Sequence, residues 1–203
     1  MSLELRVGLD WVVRELEKDI PKIVGSPKVE PPMIVFTDGA CEPEGTSVGG
    51  VLFDPNGDIE CFGGLLDPEL PKLWRSKEDQ VQVIGQAEIF PTLVARWTWA
   101  SRLRNRRVLF FVDNESARLA LVKCYSPSLP SLKLITECLS WDQAANSHPW
   151  YARVPTFSNI ADGPSRMTVP RELSEAGAKI VQPVLDAEWL KRVRIKKGFS
   201  RTL

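Results

Sequence analysis

Hydrophobic positions along this chain follow two rhythms, one helical and one extended. Leu5, Leu9, Val12, Val13 and Leu16 recur every three or four residues with charges between them, which predicts an amphipathic helix over residues 3–18. Pro21, Pro27, Pro31 and Pro32 follow, a stretch that cannot be helical throughout. From Met33 the rhythm changes to strands. "MIVFTD" (33–38) is a continuous apolar run, and "VGGVLFD" (48–54) and "IECFGGLL" (59–66) flank the turn sequence "PNGD". Three strands in succession form a meander. "DPELPKLWRSKEDQ" has little pattern of its own. Ile89, Leu93, Val94, Trp97 and Leu103 then predict a helix over 85–104, with Pro91 in its first two turns. "RRVLFFVD" (106–113) reads as a fourth strand and "NESARLALVKC" as a helix broken by "SPSLPS". A helix is expected over 131–146, a fifth strand at "PWYARVP" (149–155), and a last helix at 186–194.

This order predicts an α/β fold whose sheet has an antiparallel hairpin edge and parallel strands joined by helices. Residues 1–32 read as an appendage, 33–170 as the main domain, and 171–203 as a helical, basic extension. A chain of 203 residues has room for one sizeable core.

Charge narrows the possible partners. The 26 basic and 26 acidic residues balance, so nothing global draws the chain to nucleic acid or an anionic membrane, and local patches or metal ions must do so. The chain lacks an apolar run of about 18 residues and the start of a signal peptide, which points to a soluble, intracellular protein without membrane association. Cys41, Cys61, Cys124 and Cys138 are scattered and His148 is the single histidine, so close-paired zinc ligands are not available. Metal chemistry would rest on oxygen ligands, which suit Mg²⁺ or Mn²⁺.

The acids supply them. Strands 33–38 and 108–113 both end on aspartate, Asp38 and Asp113. If the two strands are parallel neighbours, both carboxylates emerge at the edge where open α/β sheets bind ligands. Like charges so placed repel unless a cation sits between them. Glu88 sits near the start of the long helix, where the helix dipole favours it, and Asp162 lies before Pro164 as a suitable first residue of a short helix. Taken singly, each of these acids also fits an ordinary turn or cap.

"FTDGA", "QAE", "FVDN" and "NIADGPSR" occur in this order on the first strand, the long helix, the fourth strand and the segment after the fifth. Together they resemble the ribonuclease H family over roughly residues 33–170. The wording "TDGACE", "VDNESA" and "ADGPSR" is most similar to ribonuclease H domains joined to reverse transcriptases in retroelements of the tyrosine-recombinase, DIRS-like group. The resemblance implies an RNase H-like fold with a five-stranded mixed sheet, strands 1–2–3 antiparallel and 1–4–5 parallel, flanked by helices. It implies an endonuclease cutting the RNA strand of RNA/DNA hybrids with two Mg²⁺ ions, for which Mn²⁺ can substitute. Asp38 would bridge the ions, Glu88 and Asp113 would hold one, and Asp162 the other. Gln86, Asn114, Gly39 and Arg166 are the implied substrate contacts, and an upstream reverse transcriptase domain is the implied partner.

The match has departures. The family's loop histidine is absent from "TFSN", and His148 lies at the wrong end of its strand for that role. "SRLRNRR" (101–107) is expected at the sheet edge away from the acids, whereas "KRVRIKKGFSRTL" (191–203) is a candidate for phosphate contact. Trp74, Trp97, Trp99, Trp141 and Trp150 read as core. A 3′–5′ exonuclease of the same fold would carry a second acid where Ala40 stands. An RNase H-like clamp without catalysis would lose one or more of the four acids.

Overall fold

The computed structural model describes residues 3–18, 30–43, 45–74 and 83–186. The meander forms as expected from β1 (Met33–Glu42), β2 (Gly45–Phe53) and β3 (Ile59–Leu65), paired antiparallel in sequence. β4 (Arg107–Val112) lies parallel to β1, and β5 (His148–Arg153) lies parallel to β4. The mixed α/β sheet therefore has the five expected strands in the expected directions. A sixth, β6 (Lys179–Ile180), joins parallel to β3 and completes the order β5-β4-β1-β2-β3-β6. Two residues carry no periodicity, so β6 left no trace in the pattern.

β1 does not stop at Asp38. It continues to Glu42, pairing with β2 from Asp38↔Gly49 to Glu42↔Gly45, while its pairing with β4 ends at Thr37↔Val112. Asp38 is thus the first residue of β1 beyond its parallel neighbour. A strand that loses one partner opens a notch in the sheet, and the polar residues after Phe36 occupy it.

Helices cover the sheet unequally. α1 (Leu3–Glu17) and the short α2 (Glu69–Trp74) precede α3 (Ile84–Thr98), the helix packed directly on β1 and β2. The helix expected over 85–104 is broken at Trp99, after which α4 (Ala100–Leu103) begins. Trp99 is buried there, its ring centroid 5.0 Å from that of Phe62 and its Nε1 donating to Glu60 Oε2 at 2.9 Å. α5 (Glu115–Lys123) is capped by Asn114, and α6 (Leu129–Ala145) starts two residues earlier than the pattern suggested, behind Ser128. Both helices pack against α3, α5 also resting on β5, and α1 leans on α6, where Trp11 Nε1 donates to Ser140 Oγ. The opposite face of the sheet carries α7 (Asp162–Ser165) and α8 (Arg171–Glu175), and Ala161, just before α7, and Leu173 of α8 join Val51 and Cys61 in a second, smaller core.

An ion pair is built into the main core. Arg96 is fully buried, gripping both carboxylate oxygens of Asp142 at 2.9 and 2.8 Å and donating to Tyr151 Oη at 2.7 Å. It ties α3 to α6 and β5. Trp74 and Trp99 are core as expected and Trp97 and Trp141 pack against it, but Trp150 is 73% exposed. Alternate residues of β5 face opposite sides of the sheet, and its neighbour Tyr151 takes the side that packs on the main core. The 101–107 arginines lie at the β4 start, away from the acids, where Arg102 pairs with Asp54 and Glu60 and Arg106 with Glu30. His148 also opens its strand at that end, opposite Arg107. The connector at 19–29, the helix expected at 186–194 and the basic stretch at 191–203 fall outside the described residues, apart from Asp186. No helix among the described residues is long and apolar enough to cross a membrane.

Candidate active site

Three of the four expected acids converge in the notch. One carboxylate oxygen each from Asp38, Glu88 and Asp113 lies within 4.8 Å of the others. Asp38 comes from β1 where β4 leaves it, and Asp113 follows directly after the last residue of β4. Glu88 comes from the second turn of α3 rather than the first, so the helix dipole acts on it only weakly.

A local device brings Glu88 this close. Pro91 has no N–H, so Ala87 O lacks the bond that residue 91 would otherwise donate. That carbonyl lies against Gly39, where an added Cβ would fall 2.0 Å from it. Only glycine admits so close an approach of helix to strand. The same Gly39 then gives its backbone N–H to the Glu88 carboxylate. The structure therefore gives Gly39 a packing role beside Asp38.

The electrostatics of the cluster are unfavourable as it stands. Burial foremost, then the charges of Asp38 and Asp113, push Glu88 from an ordinary 4.5 to about 8, against the opposing Gly39 hydrogen bond. Asp38 is raised as well, mainly by burial, with the Ser165 hydrogen bond opposing and the Asp113 and Asp162 charges adding to the rise. Glu88 Oε2 and Asp113 Oδ1 are buried without a hydrogen-bond partner. Buried acceptors are almost always satisfied, so two orphaned oxygens in one carboxylate cluster mark a place shaped for something positive. Hard oxygen donors at this spacing fit a divalent cation such as Mg²⁺ or Mn²⁺. The acidic cluster is thus compatible with metal binding.

Asp162 lies outside this group. It is the first residue of α7, and its Oδ1 accepts from Arg166 Nε at 3.1 Å. Arg166 also pairs with Glu42, so the exposed guanidinium spans two carboxylates at the rim. Of the expected substrate contacts, Gln86 is buried and donates from Nε2 to Ser128 Oγ at 2.8 Å, while Asn114 Oδ1 accepts the Ala117 N–H as the α5 cap. Two further residues touch the cluster directly, Ser165 and Asn159, both bonded to Asp38. They lie three residues either side of Asp162 in "NIADGPSR", where only the acid and the arginine drew attention.

No family model matches the sequence, and no curated protein matches it by sequence. Solved structures are similar in fold. One is an RNase H1 from the halophilic archaeon Halobacterium salinarum NRC-1, at 14% identity over 64% of this chain and 89% of that chain, with a TM-score of 0.42. Another is LC11-RNase H1 in complex with an RNA/DNA hybrid, at 15% identity over 70% of this chain and 99% of that chain, TM-score 0.46. A third is the N-terminal RNase H domain of a Mycobacterium tuberculosis protein, at 12% identity over 66% and 94%, TM-score 0.43. At these identities the likeness concerns the path of the chain.

Proposed function

We propose that this chain is a metal-dependent endonuclease of the ribonuclease H type, hydrolysing the RNA strand of RNA/DNA hybrids. The observation that carries the reading is the cluster of Asp38, Glu88 and Asp113, in which two buried carboxylate oxygens have no partner. Such a cluster is costly in a metal-free fold and useful in a phosphodiesterase. The order of the acids and the wording around them support a retroelement origin, as the ribonuclease H domain of an intracellular reverse transcriptase. In that setting residues 1–32 connect to the polymerase, 33–170 are catalytic, and 171–203 extend the domain with basic charge.

Asp38, Glu88 and Asp113 would hold one Mg²⁺ or Mn²⁺, and Asp38 and Asp162 would supply ligands to a second. Divalent metal so held supplies an activated water and neutralises charge on the attacking and departing oxygens of a phosphodiester. The protein's own work is to keep the carboxylates converged. Gly39 fixes Glu88 against β1, and the Thr37↔Val112 register sets Asp38 beside Asp113. Arg166, at the rim, is suited to a backbone phosphate, which a guanidinium binds through paired N–H donors. Gln86, Asn114 and Gly39 border the substrate path. The zero net charge supports modest affinity for nucleic acid, with positioning left to metal and rim.

The test is cleavage of end-labelled RNA/DNA hybrid in Mg²⁺ or Mn²⁺, beside RNA/RNA and DNA/DNA duplexes. Internal cuts confined to the RNA of the hybrid, and lost in Asp38→Asn and Asp113→Asn proteins, are expected. Hybrid that binds but stays intact at every metal concentration would reject the enzyme and leave a nucleic-acid clamp.

A further inference from the structure

We propose that Ser165, assisted by Asn159, is the positioning residue of the metal site, holding the Asp38 carboxylate in its binding orientation. The inference rests on the nuclease reading above and names residues that reading does not need. Ser165 is fully buried, and its Oγ lies 2.5 Å from Asp38 Oδ2 and 2.8 Å from Asp162 O. A hydroxyl has one proton, and the shorter contact, to a charged acceptor, takes it. Asn159, also buried, donates from Nδ2 to Asp38 Oδ1 at 3.3 Å and to Thr37 O at 3.2 Å. Its Oδ1 in turn accepts the Ala161 N–H. Each Asp38 oxygen thus receives one donor from a single seven-residue segment and keeps lone-pair capacity for a cation.

The donors are themselves rigidly seated. Gly49 on β2 lies directly under α7, where an added Cβ would fall 2.3 Å from Ser165 N and 2.7 Å from Ala161 O. Gly49 is also the residue paired with Asp38 across the β1–β2 ladder. The missing side chain therefore lets α7 rest on strand backbone beside the aspartate. Ser47, two residues before it on the same strand, donates from Oγ to Ser165 O at 2.6 Å and locks the serine backbone. An aspartate held this way has its side-chain rotation fixed before a cation arrives. Groups that orient a metal ligand in this manner typically contribute 10- to 100-fold in affinity or activity.

The experiment is Mn²⁺ binding followed by the electron paramagnetic resonance of the free ion, at 10 °C, on the full chain and its Ser165→Ala variant. Circular dichroism would establish that both are folded. Tyr151→Phe, which removes the hydroxyl that accepts from Arg96, is the control for a merely structural loss. The expected result is a Kd for Mn²⁺ weakened at least about tenfold in Ser165→Ala and unchanged in Tyr151→Phe, even if both melt earlier. Hybrid cleavage by Ser165→Ala should then be slow at limiting Mn²⁺ and recover as Mn²⁺ is raised, with KM for hybrid unaltered. Mn²⁺ affinity in Ser165→Ala within twofold of the parent, where Asp38→Asn abolishes binding, overturns this inference alone. A parent chain that binds no Mn²⁺ overturns it together with the nuclease reading.

Discussion

Glu88 gives the cluster a pH signature opposite to that of most carboxylates. In the unfolded chain it would release its proton near 4.5, whereas in the folded protein burial and the neighbouring acids hold it to about 8. Between those values the folded state carries the extra proton, so stability falls as pH rises. The contribution is complete below about 4.5 and lost once pH passes about 8. A displacement from 4.5 to about 8, at about 1.4 kcal/mol per pH unit, sets a ceiling of about 5 kcal/mol. Asp38, raised in the same direction, adds to the trend. Divalent metal opposes it, because ligands must shed protons to bind and affinity grows with pH. Metal at 100 times its Kd adds about 2.7 kcal/mol. The assay is urea unfolding from pH 5 to 8.5, followed by fluorescence of the buried Trp74 and Trp99, once in EDTA and once in Mg²⁺. Stability in EDTA should decline across this window, decline less in Mg²⁺, and decline less in Glu88→Gln in EDTA. A metal-free stability that climbs from pH 5 to 8, or a slope identical in Glu88→Gln, refutes the reasoning.

Two substitutions probe the scaffold. Arg96→Met removes the buried guanidinium paired with Asp142, and should cost about 3–5 kcal/mol in urea unfolding, most of it recovered when Asp142→Leu is added. Gly39→Ala drives a methyl into Ala87 O and should cost about 1–3 kcal/mol, with Mn²⁺ binding impaired because Glu88 is displaced with its helix.

Much of this protein is legible in its sequence, and what is legible is local. Alternating and continuous apolar runs determined five strands, and three-to-four spacing determined α1, α3 and α6, because a segment's hydrophobic period reflects the geometry of its own backbone. The acids were legible for the same reason. Asp38 and Asp113 each follow an apolar run, and Glu88 lies just inside a helix.

The tertiary structure decided whatever depends on two distant segments meeting. It carried β1 on to Glu42 because β2 still pairs where β4 has left. It broke the long helix where Trp99 is buried against Phe62, and exposed Trp150 because it faces the side of β5 opposite Tyr151, which packs on the main core. Gln86, read as a substrate contact, donates to Ser128, 42 residues further along the chain. Asp162 is drawn to Arg166, and the partners of Asp38 came from 121 and 127 residues away. A hydrogen bond across such a separation leaves no periodic mark. It forms only when the sheet register and a side-chain-free strand position bring two backbones into contact, and those are properties of the folded chain.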